Sequence, residues 1–429
     1  MKAMQKRMLP VSLVWCLLLL LHGCNGNGSD PVRPGPGTAY TISGQVTFGG
    51  AGLSGVTIAL TDTETGTTTT GTDGSYSFTG LANGTYTLTP SLAGYTFVPA
   101  TGDITITGRD VTFPSFVAAV RTIIAAGGYY SLVRKNDGTV WAWGDNGKGQ
   151  LGNGTNTDRN VPGTVSLPPG TKITVIAAAG HHSLALTSTG QVLAWGRNIG
   201  GELGNGTTID SNLQVPVSLP PGTAITAFGY GLFHSLALTS TGQVLAWGEN
   251  TYGQLGNGAN TDRNIPVPVS LPPGTTITAV AGGGGMHSLA FTSTGQVLAW
   301  GYNFHGELGN GTNTDSNVPV AVSLPPGTTI TAIAGGALFS SALTSTGQVL
   351  AWGWNQYGEL GNGTNTDSSV PVQVSLPPDT TITAIATGES HTLARTSTGQ
   401  LLAWGSNTYG ALGNGANADK NIPVAVTPF

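Results

Sequence analysis

Apolar residues in this chain fall into short runs cut by clusters of Gly, Asn, Thr and Pro, and from about residue 120 the runs recur on a fixed period. Six copies end an apolar run with Ala-Trp-Gly, at Trp143, Trp195, Trp247, Trp300, Trp352 and Trp404, with successive tryptophans 52, 52, 53, 52 and 52 residues apart. A period of this length marks an array whose units cannot bury their apolar faces alone. The second copy shows the parts: Ile173 to Ala177, then Ser183-Leu184-Ala185-Leu186, a turn at Thr187-Ser188-Thr189-Gly190, then Gln191 to Trp195, and finally Gln214 to Leu219. These read as four short strands per copy. The middle two lack polar alternation, as expected when a neighbour covers each face of a sheet, and their small residues let sheets approach closely. Stacking around a ring satisfies that demand. The expected fold is therefore all-β, with residues 117–429 forming a six-repeat propeller of four-stranded blades. Arg121 to Ala126 supplies first-strand material and Ile422 to Val426 fourth-strand material, so the N- and C-terminal strands are expected to close the ring by sharing one composite blade. Arg134 and Arg395 replace the Leu186-type residue beside that seam, which predicts a wetter, looser junction.

The first 116 residues follow other patterns. Lys2, Lys6 and Arg7 precede an apolar run from Val11 to Leu21, about half the ~20 residues of a membrane-spanning helix, so residues 1–24 read as an export signal. The run ends Leu21-His22-Gly23-Cys24, which resembles the lipobox of bacterial lipoproteins and implies acylation of Cys24 and a place in the bacterial cell envelope; a plain secretory signal with a free thiol, or a cytosolic protein whose apolar N-terminus is no signal, are the alternatives. Residues 25–37, rich in Gly and Pro, read as a flexible linker. From 38 to 116, β-rich runs such as Tyr40 to Val46, Val56 to Leu60 and Ser75 to Phe78 are split by turns at Thr72-Asp73-Gly74 and Ala82-Asn83-Gly84, which predicts a small Ig- or transthyretin-like β-sandwich. The order ISGQV, GVTIAL, TGTDGSYSFTGLANGTYTLTPSLAGY is similar to the carboxypeptidase-regulatory-like or collagen-adhesin B-type module. That resemblance implies a spacer in which Asp73, Gly74, Tyr76, Phe78, Leu81, Gly84 and Tyr86 serve turns and core.

The phrase G-x-x-H-S-L-A-L-x-S-x-G-Q-V-L-A-W-G-x-N-x-x-G-x-L-G-N-G, repeated through the six copies, resembles the repeats of the regulator of chromosome condensation family. Known members generally close seven blades, where this chain has six copies. The family's eukaryotic founder implies guanine-nucleotide exchange on a small GTPase, but that activity depends on a wedge inserted in one blade, and these copies are nearly equal in length. A secreted β-lactamase inhibitor in the same family implies a second role, inhibition of an extracellular enzyme.

Composition narrows the chemistry. Only 8% of residues are charged, and loss of the signal removes three of fifteen basic residues and none of twenty acidic ones, leaving a formal charge of −8 that disfavours nucleic acid. Histidines precede the second strand in four copies, His182, His234, His287 and His391, with Tyr130 and Ser340 read at the matching positions of the first and fifth. One per repeat, they lie too far apart for a metal site and read as structural hydrogen-bonding groups. Asp158, Asp210, Asp262, Asp315, Asp367 and Asp419 bring one carboxylate per loop, which suits local turns better than calcium. No nucleophile with its base and no phosphate loop stands out, so neither an enzyme nor a cofactor is expected.

The copies differ where the chain enters the second strand and leaves the third, segments that a hairpin places at one end. Aromatics gather there, and Tyr129, Phe233, Tyr252, Tyr302, Phe304, Phe339, Trp354, Tyr357 and Tyr409 form the expected binding face for another protein. A lipid-anchored extracytoplasmic scaffold is the expected function, and sugar stacking on the same aromatics is a further alternative.

Overall fold

The computed structural model describes residues 39–92, 95–120, 123–282 and 284–427. The signal, Cys24 and the linker lie outside them. Every element is a strand; no helix occurs among the described residues, and so none long and apolar enough to cross a membrane. The chain divides into two compact units, one reaching Pro90 and resuming over Pro99–Phe116, the other comprising Ser91–Val98 with Val117–Phe429.

In the first unit, Tyr40–Phe48 runs antiparallel to Ser75–Leu81 and parallel to Val111–Thr112. A second sheet orders Gly66–Thr69, Thr57–Asp62, Gly84–Ser91 and Gly102–Ile106. Alternation along these strands sends Ile42, Val46, Ile58, Leu60, Tyr86 and Leu88 into the core, with the Phe113 and Phe116 rings stacked 4.7 Å apart. The turn residues act as their types suggest. Asp73 Oδ1 accepts from the Ser75 N–H at 3.0 Å and hydroxyl at 2.7 Å, and Gly74, at φ +77°, has no room for a Cβ, which would meet the Val46 carbonyl oxygen at 2.3 Å.

The second unit contains six four-stranded antiparallel sheets, each built from four consecutive strands. In the second sheet these are Ile173–Ala178, His182–Thr187, Val192–Gly196 and Ser211–Pro216. First strands from all six sheets line one channel of about 380 Å³, including Ala126, Ala178, Tyr230, Gly282, Gly335 and Thr387, so the sheets stand around a common axis. Apolar packing runs between sheets: Leu184, Val192, Ala194 and Leu203 of the second meet Ala237, Leu245 and Trp247 of the third in one buried cluster.

One interlock explains the Ala-Trp-Gly signature. The Glu202 carbonyl oxygen accepts both the Trp247 indole Nε1–H at 2.7 Å and the Ser235 hydroxyl at 3.0 Å from the next sheet. Because the serine's proton goes to that carbonyl, the His182 Nε2–H donates to Ser235 Oγ at 2.8 Å. His234 with Ser288 and His287 with Ser340 repeat the arrangement. Burial holds His182 and His234 down to about pKa 3 and His287 to about 4, so these rings are neutral. They are structural, as expected, but their partner is a serine across the sheet interface. The fifth copy needs a correction: Phe339, which opposes Gly353 as His287 opposes Gly301, holds the histidine position, and Ser340 is the partner serine. The loop glycine also belongs to the interlock. Gly256 adopts φ +62°, and a Cβ there would lie 2.8 Å from the Trp300 ring.

The expected composite sheet is not formed. Ile123–Ala126 opens the first sheet and Lys420–Ala425 ends the sixth, each paired within its own repeat. The first and sixth sheets each have four strands of their own and share none. The junction between them is open, as exposure on its two sides shows. Trp195, Trp247, Trp300, Trp352 and Trp404 each donate to the preceding loop, whereas among the described residues Trp143 has no such bond and is partly exposed. Ile124 is 77% exposed where its counterpart Ile176 is 6% exposed. Leu393, Leu401 and His391 on the sixth sheet are only partly covered, although Leu184, Val192 and His182 are buried. Arg395 is exposed on this side, but Arg134 faces the second sheet, where its Nε donates to the Ile173 carbonyl at 2.8 Å. The junction is looser, as expected, through uncovered apolar faces and one arginine rather than two.

Candidate functional site

The segment entering each second strand is tied to the one leaving the third by a backbone bond that recurs in all six repeats. Asp145, Arg197, Glu249, Tyr302, Trp354 and Ser406 donate N–H to the carbonyls of Tyr129, His181, Phe233, Met286, Leu338 and Ser390 at 2.8 to 3.0 Å. The variable positions therefore share one end of every sheet, as the hairpin required. Beneath them a monotonous loop sets the spacing. In the third repeat Asn250 Oδ1 accepts from Leu255 N–H, its Nδ2 donates to the Ala259 and Thr261 carbonyls, and Asp262 Oδ1 caps the Asn250 N–H at 2.8 Å. The other five aspartates cap their asparagines likewise. Each carboxylate thus acts on its own turn, as expected from the sequence.

The aromatics fall into groups. Tyr252 meets Tyr302 edge to face at 5.0 Å. Phe304 packs on His305 at 5.0 Å, His305 lies 6.1 Å from Trp354, and Trp354 meets Tyr357 at 5.3 Å. The His305 Nδ1 is 2.8 Å from Asp367 Oδ2, joining fourth and fifth repeats. Phe233 stands apart beneath Arg197, whose guanidinium lies 4.2 Å from its ring centre. Tyr129 and Tyr409 are exposed, Tyr409 at 97%. Phe339 is withdrawn from the face: it is fully buried in the cluster of Leu343, Val349 and Trp404, because it precedes Trp352 by 13 residues, the spacing His287 keeps from Trp300.

Under this rim sits a row that the sequence reading passed over. The residue before Leu-Gly in the loop is Gln150, Glu202, Gln254, Glu307, Glu359 and Ala411, and all but Ala411 are fully buried. Their side chains turn up toward the rim. One oxygen of each glutamate accepts a local backbone N–H, from Gly200, His305 and Tyr357 at 2.9 to 3.0 Å. The other oxygen of Glu202 pairs with Arg197. In the fourth and fifth repeats that oxygen has no partner among the described residues. Burial pushes Glu307 up to about pKa 8 and Glu359 to about 7, with Asp315, Asp367 and Asp419 adding to the shift. The alternation of Gln and Glu was visible; that the loop buries it was not.

The RCC1-like domain model matches residues 57–429. The chain belongs to the RCC1-like family. The RCC1-like match begins inside the first compact unit and runs through all six repeats. The ultraviolet-B receptor UVR8 of Arabidopsis thaliana is 37% identical over 286 residues, 67% of this chain and 64% of the receptor. The human E3 ubiquitin-protein ligase HERC2 is 33% identical over 332 residues, 74% of this chain but 7% of that protein, so this chain spans only part of either relative's length. Among solved structures, Saccharomyces cerevisiae Prp20p, described with its binding to Gsp1p and histones, superposes with a TM-score of 0.63 at 26% identity over 71% of this chain and 76% of that one. The RCC1-like propeller fold accounts for the sheet order and shared channel.

Proposed function

We propose that this chain is a six-bladed RCC1-like propeller that captures another protein on its variable rim. It is held in the bacterial envelope by acylated Cys24, and the 38–116 module, a β-sandwich, acts as spacer. The observation that carries the reading is the aromatic sector of blades three to five, where Tyr252, Tyr302, Phe304, Trp354 and Tyr357 gather above buried framework. Large, half-covered rings held by edge contacts are the residue type that dominates protein interfaces, because they bury much area at little entropic cost. Relatives support a protein partner: Prp20p is described as binding Gsp1p and histones. The N-terminal signal and the linker supply the export and anchoring part of the proposal.

The test is capture from envelope extract by the full chain, comparing wild type with Trp354→Ala combined with Tyr302→Ala. Loss of the captured protein with an unchanged unfolding midpoint supports the rim; unchanged capture refutes it.

A further inference from the structure

The second blade shows what the fourth and fifth lack. All three carry a buried glutamate with one oxygen fixed by a backbone N–H two residues earlier, which puts the second oxygen in the same place each time. In the second blade that place is reached by Arg197, which leaves the rim, pairs with Glu202 and covers the Phe233 ring. In the first blade Gln150 Nε2 reaches the same rim position, donating to Asp145 Oδ2 at 2.6 Å. In the first two blades the atom at this depth meets the residue at position 145 or 197, whereas Gln254 Nε2 of the third has no partner among the described residues. In the fourth and fifth blades the matching position holds Tyr302 or Trp354, which offers no cation, and Oε1 of Glu307 and of Glu359 is buried without a partner among the described residues.

We propose that Glu307 and Glu359 each receive an arginine side chain from a bound polypeptide, with Tyr302 and Trp354 turned aside on χ1 to stack on the guanidinium as Phe233 stacks on Arg197. This names the chemistry of the partner and rests on the rim being a protein-binding surface. The match is physical in three respects. A buried carboxyl oxygen without a partner is costly, and ionising it against a guanidinium in a charge-assisted bond relieves that cost. An aromatic face beside the carboxylate favours the weakly hydrated guanidinium over ammonium. The surroundings favour a cation: Asp315 and Asp367 face Glu307, Asp367 and Asp419 face Glu359, and His305 is paired with Asp367. The second blade fills its own site with Arg197, so the sites open to a partner's arginine are those of the adjacent fourth and fifth blades, beside the aromatic sector.

The test uses the full chain and the peptide Ac-Gly-Arg-Gly-amide, with citrulline and lysine counterparts, by calorimetry at pH 7 in two buffers of different ionisation heat. Wild type is expected to bind the arginine peptide and release protons, since a cation drives the raised carboxyls to ionise. Glu307→Gln with Glu359→Gln should weaken binding by about tenfold or more. Those variants are safe for the fold because Gln150 and Gln254 hold the same position in the first and third blades. Equal binding of citrulline or lysine peptide, absence of proton release, or an unaffected double variant overturns the proposal. If Trp354→Ala abolishes partner capture while the glutamine variants retain it, the rim reading stands and the arginine inference falls. If arginine binding follows the glutamates while capture ignores Trp354, the glutamates bind a guanidinium but the aromatic rim is not where the partner docks, and the rim reading falls.

Discussion

Trp143 and Trp247 occupy the same place in their repeats, and the open junction makes their contributions unequal. Trp247 is fully buried between blades and its Nε1–H bonds the Glu202 carbonyl. Replacing it with alanine leaves a cavity the size of an indole, and core substitutions of this kind cost about 3–5 kcal/mol. The lost bond adds about 1 kcal/mol, because Glu202 keeps only Ser235 as a partner from the next blade. Trp143 is partly exposed and makes no equivalent bond among the described residues. Its truncation forfeits only the packing against its own sheet, about 1–2 kcal/mol. Urea titration of the full chain, followed by far-UV circular dichroism, compares Trp143→Ala with Trp247→Ala. Repeat arrays can unfold in stages, so the first transition is the quantity to compare. A gap of at least ~2 kcal/mol is expected from these two estimates. Equal losses would mean that the sixth blade covers Trp143 as the second covers Trp247, and the open junction would be wrong.

Stability should peak near pH 6. Glu307 and Glu359 have raised folded pKa values, so the native state holds protons the unfolded chain releases, and stability falls as pH climbs from about 4.5 toward 8. The depressed histidines act oppositely: stability falls as pH drops from 6.5 toward 3, where the unfolded chain takes up protons that His182, His234 and His287 refuse. Thermal midpoints across pH should show both limbs, and Glu307→Gln with Glu359→Gln should flatten the alkaline one alone. Phe339→Ala should cost about 3–5 kcal/mol, whereas Phe304→Ala, at an exposed ring, should cost under about 1 kcal/mol by the same titration; similar costs would return Phe339 to the rim. Asp262→Ala removes the cap on Asn250 and should cost about 1 kcal/mol, with calcium leaving the thermal midpoint of wild type unmoved; a calcium-dependent rise would show that the loop carboxylates bind the ion.

The sheets were legible because their signal is repeated: each strand pair must satisfy the same two-sided burial, and six copies average out local ambiguity. The shared rim was legible too, since a hairpin fixes which ends coincide, and the bond from Trp354 N–H to the Leu338 carbonyl is the geometry it demands. What failed lay at positions where one residue decides. The composite blade came from reading Ile123 and Val424 as fragments needing each other, although a unit that starts with its first strand and stops with its fourth is already complete. Phe339 was set on the rim by giving the histidine position to Ser340, although Phe339 precedes Trp352 by the same 13 residues that separate His287 from Trp300; a phenylalanine can occupy the volume of an interlocking histidine, leaving Ser340 free to accept from His287.

Glu307 and Glu359 were missed for a different reason. A charged residue amid Gly and Asn looks solvated, and nothing local shows that the next blade will close over it. The Trp352 and Trp404 indoles reach the carbonyls of these same two residues, so the interlock that holds blades together is what draws Glu307 and Glu359 out of water. At Gln150 and Gln254 the same burial involves no charge. Framework and function are therefore coupled at one residue: its backbone oxygen joins the blades, and its side chain sets the polarity of the rim above.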